Sequence, residues 1–410
     1  MSAANFDTFI SVADARRRIS EAVSPLGAEV VQLADAVGRV LAEDVSSAEA
    51  IPPFDNSAMD GYAIPALDVA SGDVSLRLIG EVPCGVEPDV RVEPGTCVRI
   101  MTGARIPDGA DAVIQQELVQ VDNGSTVRFE APVPAGANIR KAGSNISIGQ
   151  RVIEKGTTIL PGHVAVLASI GRATVPATRR PRVAVFSSGD ELVAVDAVPG
   201  PSQIRNSNGP ALTAQTVRAG GTVVLSDVIR DNEESVRSNI QSALTRHVDV
   251  LVVSGGASVG DYDIVRQVME TMGLEVSFWK VRQRPGKPLA FGLLDGAAVF
   301  MLPGNPVSAS ICFHEYVRPA LIRMMGNNLP APELIAAVFE GSVVKNRPLH
   351  YFVRGSAGVD EKGTVRVRVA GQQGSHVSMS LAEANCLIHL PEETDAPSAG
   401  DVVSIEWLRW

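Results

Sequence analysis

The sequence predicts a multidomain α/β plus β chain, with a doubly wound α/β unit between Arg182 and about Met325 and β units before and after it. Three observations predict it. Between Arg182 and Met325, apolar runs repeatedly stop at glycine- or serine-rich turns and give way to helical periodicity, the pattern of a parallel sheet covered by helices. From Val74 to about Val133, short runs alternate apolar and polar residues between turn signals, as strands with one buried face do. The residues after Met325 alternate in the same way.

Taken in order, residues 7 to 44 carry helical spacing. Val12, Ala15, Ile19 and Val23 fall on one face, and Leu33, Val37, Val40 and Leu41 on another, so helical packing elements are expected. Ile51-Pro52-Pro53 then leads into Phe54-Asp55-Asn56-Ser57-Ala58-Met59-Asp60-Gly61-Tyr62-Ala63. Clustered Asp, Asn, Ser and Gly form turns, while two carboxylates beside an aromatic also suit a cation or ligand site. Both readings stand at this point.

The β unit, a sandwich or small barrel, takes its strands from Ser75 to Ile79, Thr96 to Met101, Ala112 to Gln115 and Thr126 to Phe129. Arg99-Ile100-Met101-Thr102-Gly103-Ala104 puts a hydroxyl and a glycine at a strand end, and Arg140 and Lys141 offer charge to an anion. A short β segment (Gln150 to Thr158) and an apolar helix (His163 to Ile170) follow.

The α/β unit has strands expected at Arg182 to Phe186, Thr222 to Val228, Val250 to Val253, Val276 to Val281 and Ala297 to Leu302. Helices are expected over Ser207 to Ala219, over Glu233 to Thr245, from Asp261 onward, and after Pro306. In open α/β sheets, ligands bind outside the carboxyl ends of the strands. Ser187-Ser188-Gly189-Asp190-Glu191, Asp231, Ser254-Gly255-Gly256, Arg284-Pro285-Gly286-Lys287-Pro288 and Pro303-Gly304-Asn305-Pro306 should therefore line one crevice. Strand, glycine turn and helix from Val250 onward is the geometry in which backbone N–H groups approach an anion. After Met325, four or five strands are expected, among them Tyr351 to Gly355, Thr364 to Val369, Cys386 to Leu390 and Val402 to Trp407. Gly371 to His376, with Ser375, forms a loop among them.

Composition excludes several classes. A net charge of −10 and an aromatic fraction of 4% argue against nucleic-acid binding. No apolar window reaches the length of a transmembrane helix, and the first residues lack the apolar core of a signal peptide, so a cytoplasmic chain is expected. The four cysteines are scattered without a C-x-x-C pair, and no H-E-x-x-H or G-x-S-x-G pattern occurs. A zinc staple, a disulfide framework and acyl-transfer chemistry thus have no support.

Taken together, PFDNSAMDGYA, RIMTGA, SSGDEL, SGGASVGDYD, RPGKP, LPGNPVSA and FVRG resemble the molybdopterin molybdenumtransferase family, which includes MoeA-type proteins and the corresponding domain of gephyrin. The resemblance runs from about Phe6 to Trp407 with the motifs in family order. It implies four domains: a segmented helical domain (1–50 with 146–180), an inserted β domain (51–145), an α/β nucleotide-binding-like, molybdopterin-binding domain (181–326) and a C-terminal β-barrel (327–410). It implies insertion of molybdate into adenylylated molybdopterin with Mg²⁺ present and AMP released. It also implies a homodimer whose site lies between subunits, with a molybdopterin adenylyltransferase or apo-molybdoenzymes as further partners.

Carried over by position, the resemblance assigns Asp60 and Thr102 to one wall. Glu191, Asp231, Asp261 and Lys287 form the other, with Pro303 and Pro306 at its floor. Arg354 and Ser375 come from the last domain, and Ser254, Gly255, Gly256, Ser258 and Arg284 complete the substrate-binding set. Glu191, Asp231 and Asp261 would repel one another unless a divalent cation sat among them. Asp263 is an alternative to Asp261. Asn145 stands where family members commonly carry a carboxylate, and an adenylyltransferase, a CinA-type enzyme or a gephyrin-like scaffold remain the competing readings.

Overall fold

The computed structural model describes residues 7–255, 264–327, 333–345 and 348–408. Its central sheet has seven strands in the order Asp7–Ile10, Glu275–Val281, Ala290–Leu294, Ala297–Leu302, Val250–Ser254, Arg182–Ser188 and Thr222–Ile229. Only Ala290–Leu294 runs against the others. Every remaining strand therefore ends at the same edge. Alternation along each strand sends side chains to two cores. Val183, Val185, Val250 and Val252 pack on one face against helices Val12–Ala22, Asn208–Arg218 and the helical run from Pro306 to Met324. Ala184, Phe186, Leu251 and Val253 pack on the other, against helices Glu233–Leu244 and Ile264–Thr271. The expected doubly wound unit is present.

Two features near the N-terminus differ from the sequence reading. Strand Asp7–Ile10 pairs in parallel with Glu275–Val281, and Val12, Ala15, Ile19 and Val23 join the α/β core. The periodic residues from Leu33 to Leu41 form no α-helix. A single 3₁₀ turn, Leu33–Asp35, is followed by Gly38 in the left-handed region at φ +79°, which a continuous right-handed helix cannot contain. The stretches flanking the β unit do come together, through two-stranded ladders (Ala28–Gln32 with Thr174–Thr178, Val45–Ser46 with Arg151–Ile153) and the one helix Pro161–Ser169. Leu41, Val45, Ile153, Ile159 and Leu167 form their shared core. Helices are thus fewer here than expected.

The β unit is a mixed six-stranded sheet in the order Ala112–Gln115, Gly61–Ile64, Thr96–Ile100, Val74–Val82, Thr126–Phe129 and Val119–Asp122. The C-terminal unit closes into a five-stranded barrel: His350–Val359, Val365–Val369, Ile335–Phe339, Val402–Trp407 and Cys386–Leu390, with the last pairing back to the first. Closure leaves no free sheet edge within the ring. Among the described residues, no helix is long and apolar enough to cross a membrane.

Candidate functional site

The carboxyl edge of the central sheet gathers much of the predicted set. Strand Arg182–Ser188 ends at Ser188, whose hydroxyl donates to Asp231 Oδ1 at 2.8 Å. The Asp231 N–H in turn donates to Asp190 Oδ1 at 3.2 Å. Arg230 Nη1 donates to the carbonyls of Gly189, Asp190 and Leu192, which fixes this turn against the neighbouring strand end. Gly189 sits at φ +151°, and a Cβ there would run into the Glu191 carboxylate. The positive φ is what favours glycine at this turn, and the flexible Glu191 carboxylate folds over the bare backbone.

The neighbouring strand ends supply bare backbone. Ser254 is buried, with its hydroxyl 3.5 Å from that of Ser187. Gly255 takes φ +92°, and a Cβ there would lie 2.5 Å from the Ser188 carbonyl oxygen. A Cβ on Gly304 would meet Gly255 Cα at 3.6 Å. Pro303 follows strand Ala297–Leu302 directly, and Pro306 opens the helix Pro306–Cys312. Asn208 Nδ2 donates to the Gly304 carbonyl at 2.8 Å. Gly256, Ser258, Asp261 and Asp263 lie outside the described residues.

Arg284 and Lys287 are exposed on the loop after the strand Glu275–Val281. The Lys287 ammonium stands 4.9 Å above the Phe9 ring, and the Arg284 guanidinium 5.5 Å from that of Tyr351. Ser375 reaches the same edge through its carbonyl, which accepts the Val307 N–H at 3.2 Å. Arg354 is placed differently from a ligand contact. It is 1% exposed, and its guanidinium donates to Ser380 Oγ and to the carbonyls of Gln372 and Gly374. Burial, with Arg284 nearby, lowers its pKa to about 10, so it stays cationic at neutral pH. It shapes the loop that presents Ser375.

Asp60 and Thr102 form a pair of their own in the β unit. Asp60 Oδ1 accepts from the Thr102 N–H at 2.7 Å and the Thr102 hydroxyl at 2.8 Å. These bonds to its ionised form hold the Asp60 carboxyl below its usual range. Gly61 lets the turn approach the next strand, since a Cβ would run into the Ile114 carbonyl. Nearby, Asp55 accepts from Lys141 Nζ at 2.7 Å and from the Ala142 N–H at 2.8 Å. Asn145 is exposed on the adjoining turn, its N–H bound to the Ile51 carbonyl. Among the described residues, no hydrogen bond or ion pair joins Asp60 or Thr102 to Glu191, Asp231 or Lys287. Asp60 and Thr102 are thus bonded to each other and not to the described residues of the sheet edge.

The sequence reading missed Ser188 and Asp190 as working partners of Asp231, and Lys141 as the counter-ion of Asp55. Ser188 and Asp190 sit within the motif SSGDEL and Lys141 beside Arg140, but a motif does not say which of several polar residues faces which. A surface groove of about 790 Å³ flanks helix Glu233–Leu244, lined by Arg237, Gln241, Met272 and Asp295 among others. It contains none of the predicted residues.

A further cluster of titratable groups lies where the barrel meets the α/β unit. Donor atoms of His314, Glu315 and Glu406 fall within 4.8 Å of one another. Arg16 pairs with Glu315, Arg318 stands 4.0 Å from Glu406, and His314 Nε2 is 2.9 Å from Glu406 Oε1. Two guanidinium groups thus already balance the two carboxylates. This is an ionic junction between units.

Comparison with known proteins agrees with this architecture along the chain. Residues 10–171 match the MoeA N-terminal region (domain I and II), 184–323 the probable molybdopterin binding domain, and 336–408 the MoeA C-terminal region (domain IV). A relative from Haemophilus influenzae, named molybdopterin molybdenumtransferase, is 36% identical over 384 residues, 93% of this chain and 94% of its own. One of the same name from Bacillus subtilis is 34% identical over 409 residues, 98% of this chain and 95% of its own. The crystal structure of a molybdopterin biosynthesis moeA protein from Pyrococcus horikoshii OT3 superposes with a TM-score of 0.83 at 28% identity, covering 98% of this chain and all of that one. With successive domain models matched and relatives at 34–36% identity covering nearly all of it, the chain belongs to the MoeA family of molybdopterin molybdenumtransferases.

Proposed function

We propose that this transferase of molybdenum cofactor biosynthesis inserts molybdate into adenylylated molybdopterin and releases AMP. The observation that carries the reading is the bare-backbone edge at Gly189, Gly255 and Gly304, bordered by the Ser188–Asp231 pair and Glu191. Backbone without side chains leaves room for a phosphate or oxyanion at this edge; the Gly189 and Gly255 N–H groups are bound to the Ile229 and Leu302 carbonyls, so its donors are side chains. Arg284 and Lys287 add exposed positive charge at the same edge. Cleaving the phosphoanhydride consumes one water and yields AMP and the pterin phosphate, so carboxylates beside the edge can orient that water.

The donor set fits a hard cation. Glu191 and Asp231 are carboxylates, Mg²⁺ favours all-oxygen sites with one or two carboxylates, and Asp261 is the proposed third ligand. When bound, Mg²⁺ would neutralise charge on the phosphate oxygens.

The separation of Asp60–Thr102 from the sheet edge supports a site completed by a second copy of the chain, as a homodimer. Asp60→Ala and Lys287→Ala subunits, each impaired roughly tenfold or more alone, should rise to about a quarter of full activity when mixed, because half the dimers then hold one intact site. The deciding measurement is AMP release from adenylylated pterin with and without molybdate. Release that is absent, or indifferent to molybdate, sinks the reading.

A further inference from the structure

We infer that Gln283 and Tyr316 are positioning residues that hold the Arg284–Lys287 loop from beneath. Gln283 is fully buried, which is costly for an amide unless its polar atoms are paired. Its Nε2 donates to the Gly286 carbonyl at 3.1 Å and lies 3.3 Å from Cys312 Sγ. Its Oε1 accepts the hydroxyl of the buried Tyr316. The Cys312 thiol adds a second, longer contact to the Gly286 carbonyl at 3.7 Å. Gly286 is at φ +91°, and a Cβ there would run into the Cys312 sulfur, so the loop is seated directly on this cluster.

The anchors come from elements that otherwise border the crevice separately. Cys312 and Tyr316 lie on the helical run that begins at Pro306, directly after Pro303-Gly304-Asn305. The backbone of Gln283–Arg284 also pairs in parallel with His350 and Tyr351 of the barrel. One buried amide thus ties the loop bearing Lys287 to the helix whose start forms the floor of the sheet edge. Its service to catalysis rests on the reading of Lys287 as a substrate-side residue, but the clamp itself does not.

The test separates positioning from bulk stability. Gln283→Leu leaves the Tyr316 hydroxyl and the Gly286 carbonyl short of a partner, so it should lower the melting temperature. Adding Tyr316→Phe removes one of those orphans and should restore most of the loss. If the pair positions the loop, the double variant still exchanges amide hydrogens over residues 284–288 roughly tenfold faster than wild type. Its kcat for AMP release stays down roughly tenfold, with KM for adenylylated pterin within about threefold. A double variant that regains melting temperature, slow exchange and kcat together overturns the inference. Tyr316→Phe alone, a milder change, should give the same signs at smaller size. If wild type releases no AMP, the functional reading fails, and the exchange data still decide whether the clamp exists.

Discussion

Two hydrogen bonds from Thr102 hold the exposed Asp60 carboxyl below its ordinary range, and burial contributes almost nothing. Asp60→Ala should therefore leave the melting temperature nearly unchanged while lowering turnover roughly tenfold to a hundredfold. Unchanged turnover would remove Asp60 from the site. At Asp231, asparagine keeps an acceptor for the Ser188 hydroxyl but loses the charge. Asp231→Asn should raise the Mg²⁺ concentration needed for half-maximal activity roughly tenfold, read from a Mg²⁺ titration of AMP release. At this scale the sequence named the polar residues after each strand but could not see burial. Arg354 is assigned to the site by the family resemblance alone, and its guanidinium is held by the Gln372–Gly374 loop.

Elements were legible where one pattern dominated. Val250–Ser254 and Ala297–Leu302 are continuous apolar runs buried on both faces, and a glycine turn ends each. Leu33 to Leu41 misled because apolar spacing alone does not register the backbone reversal at Gly38. Asp7–Ile10 escaped notice because only Ile10 is buried, so no alternation shows. The turn at Gly61 gives a sharp test of the β unit. Gly61→Ala drives a Cβ into the Ile114 carbonyl and should cost roughly 3 kcal/mol, seen as an earlier unfolding transition in denaturant. The barrel junction predicts an acid limb. Burial, with His389, Arg16 and Lys345 around it, lowers the His350 pKa from 6.5 to about 3. Burial opposes ionisation of Glu406, but the hydrogen bond with His314 and the His389 ring 3.5 Å away prevail and bring it from 4.5 to about 2. In both cases the unfolded chain binds the proton first. Stability should fall as pH drops from about 6.5 to 3 through His350 and from about 4.5 to 2 through Glu406. His350→Phe, which keeps the ring packed on Phe352, should flatten the upper part of a melting-temperature profile. An unaltered profile would show that His350 does not govern it.

At the scale of the whole molecule, the central sheet is completed by its most distant strand. Asp7–Ile10 covers the edge of Glu275–Val281, and Phe9 beneath it carries the Lys287 ammonium. Deleting residues 1–10 should leave that edge unpaired and promote association, visible as soluble aggregate by light scattering. Full solubility and unchanged turnover would show the strand to be dispensable. The same arrangement sets an order of events during synthesis. The first strand leaves the ribosome roughly 265 residues ahead of its partner, a wait on the order of 10–50 s at ordinary translation rates. Until then the β unit can form without it, while Asp7–Ile10 has no strand to pair with and Phe9 no Lys287 to carry. A nascent chain arrested before Glu275 should thus be folded at its β unit and open to proteases from Asp7 to Ile10.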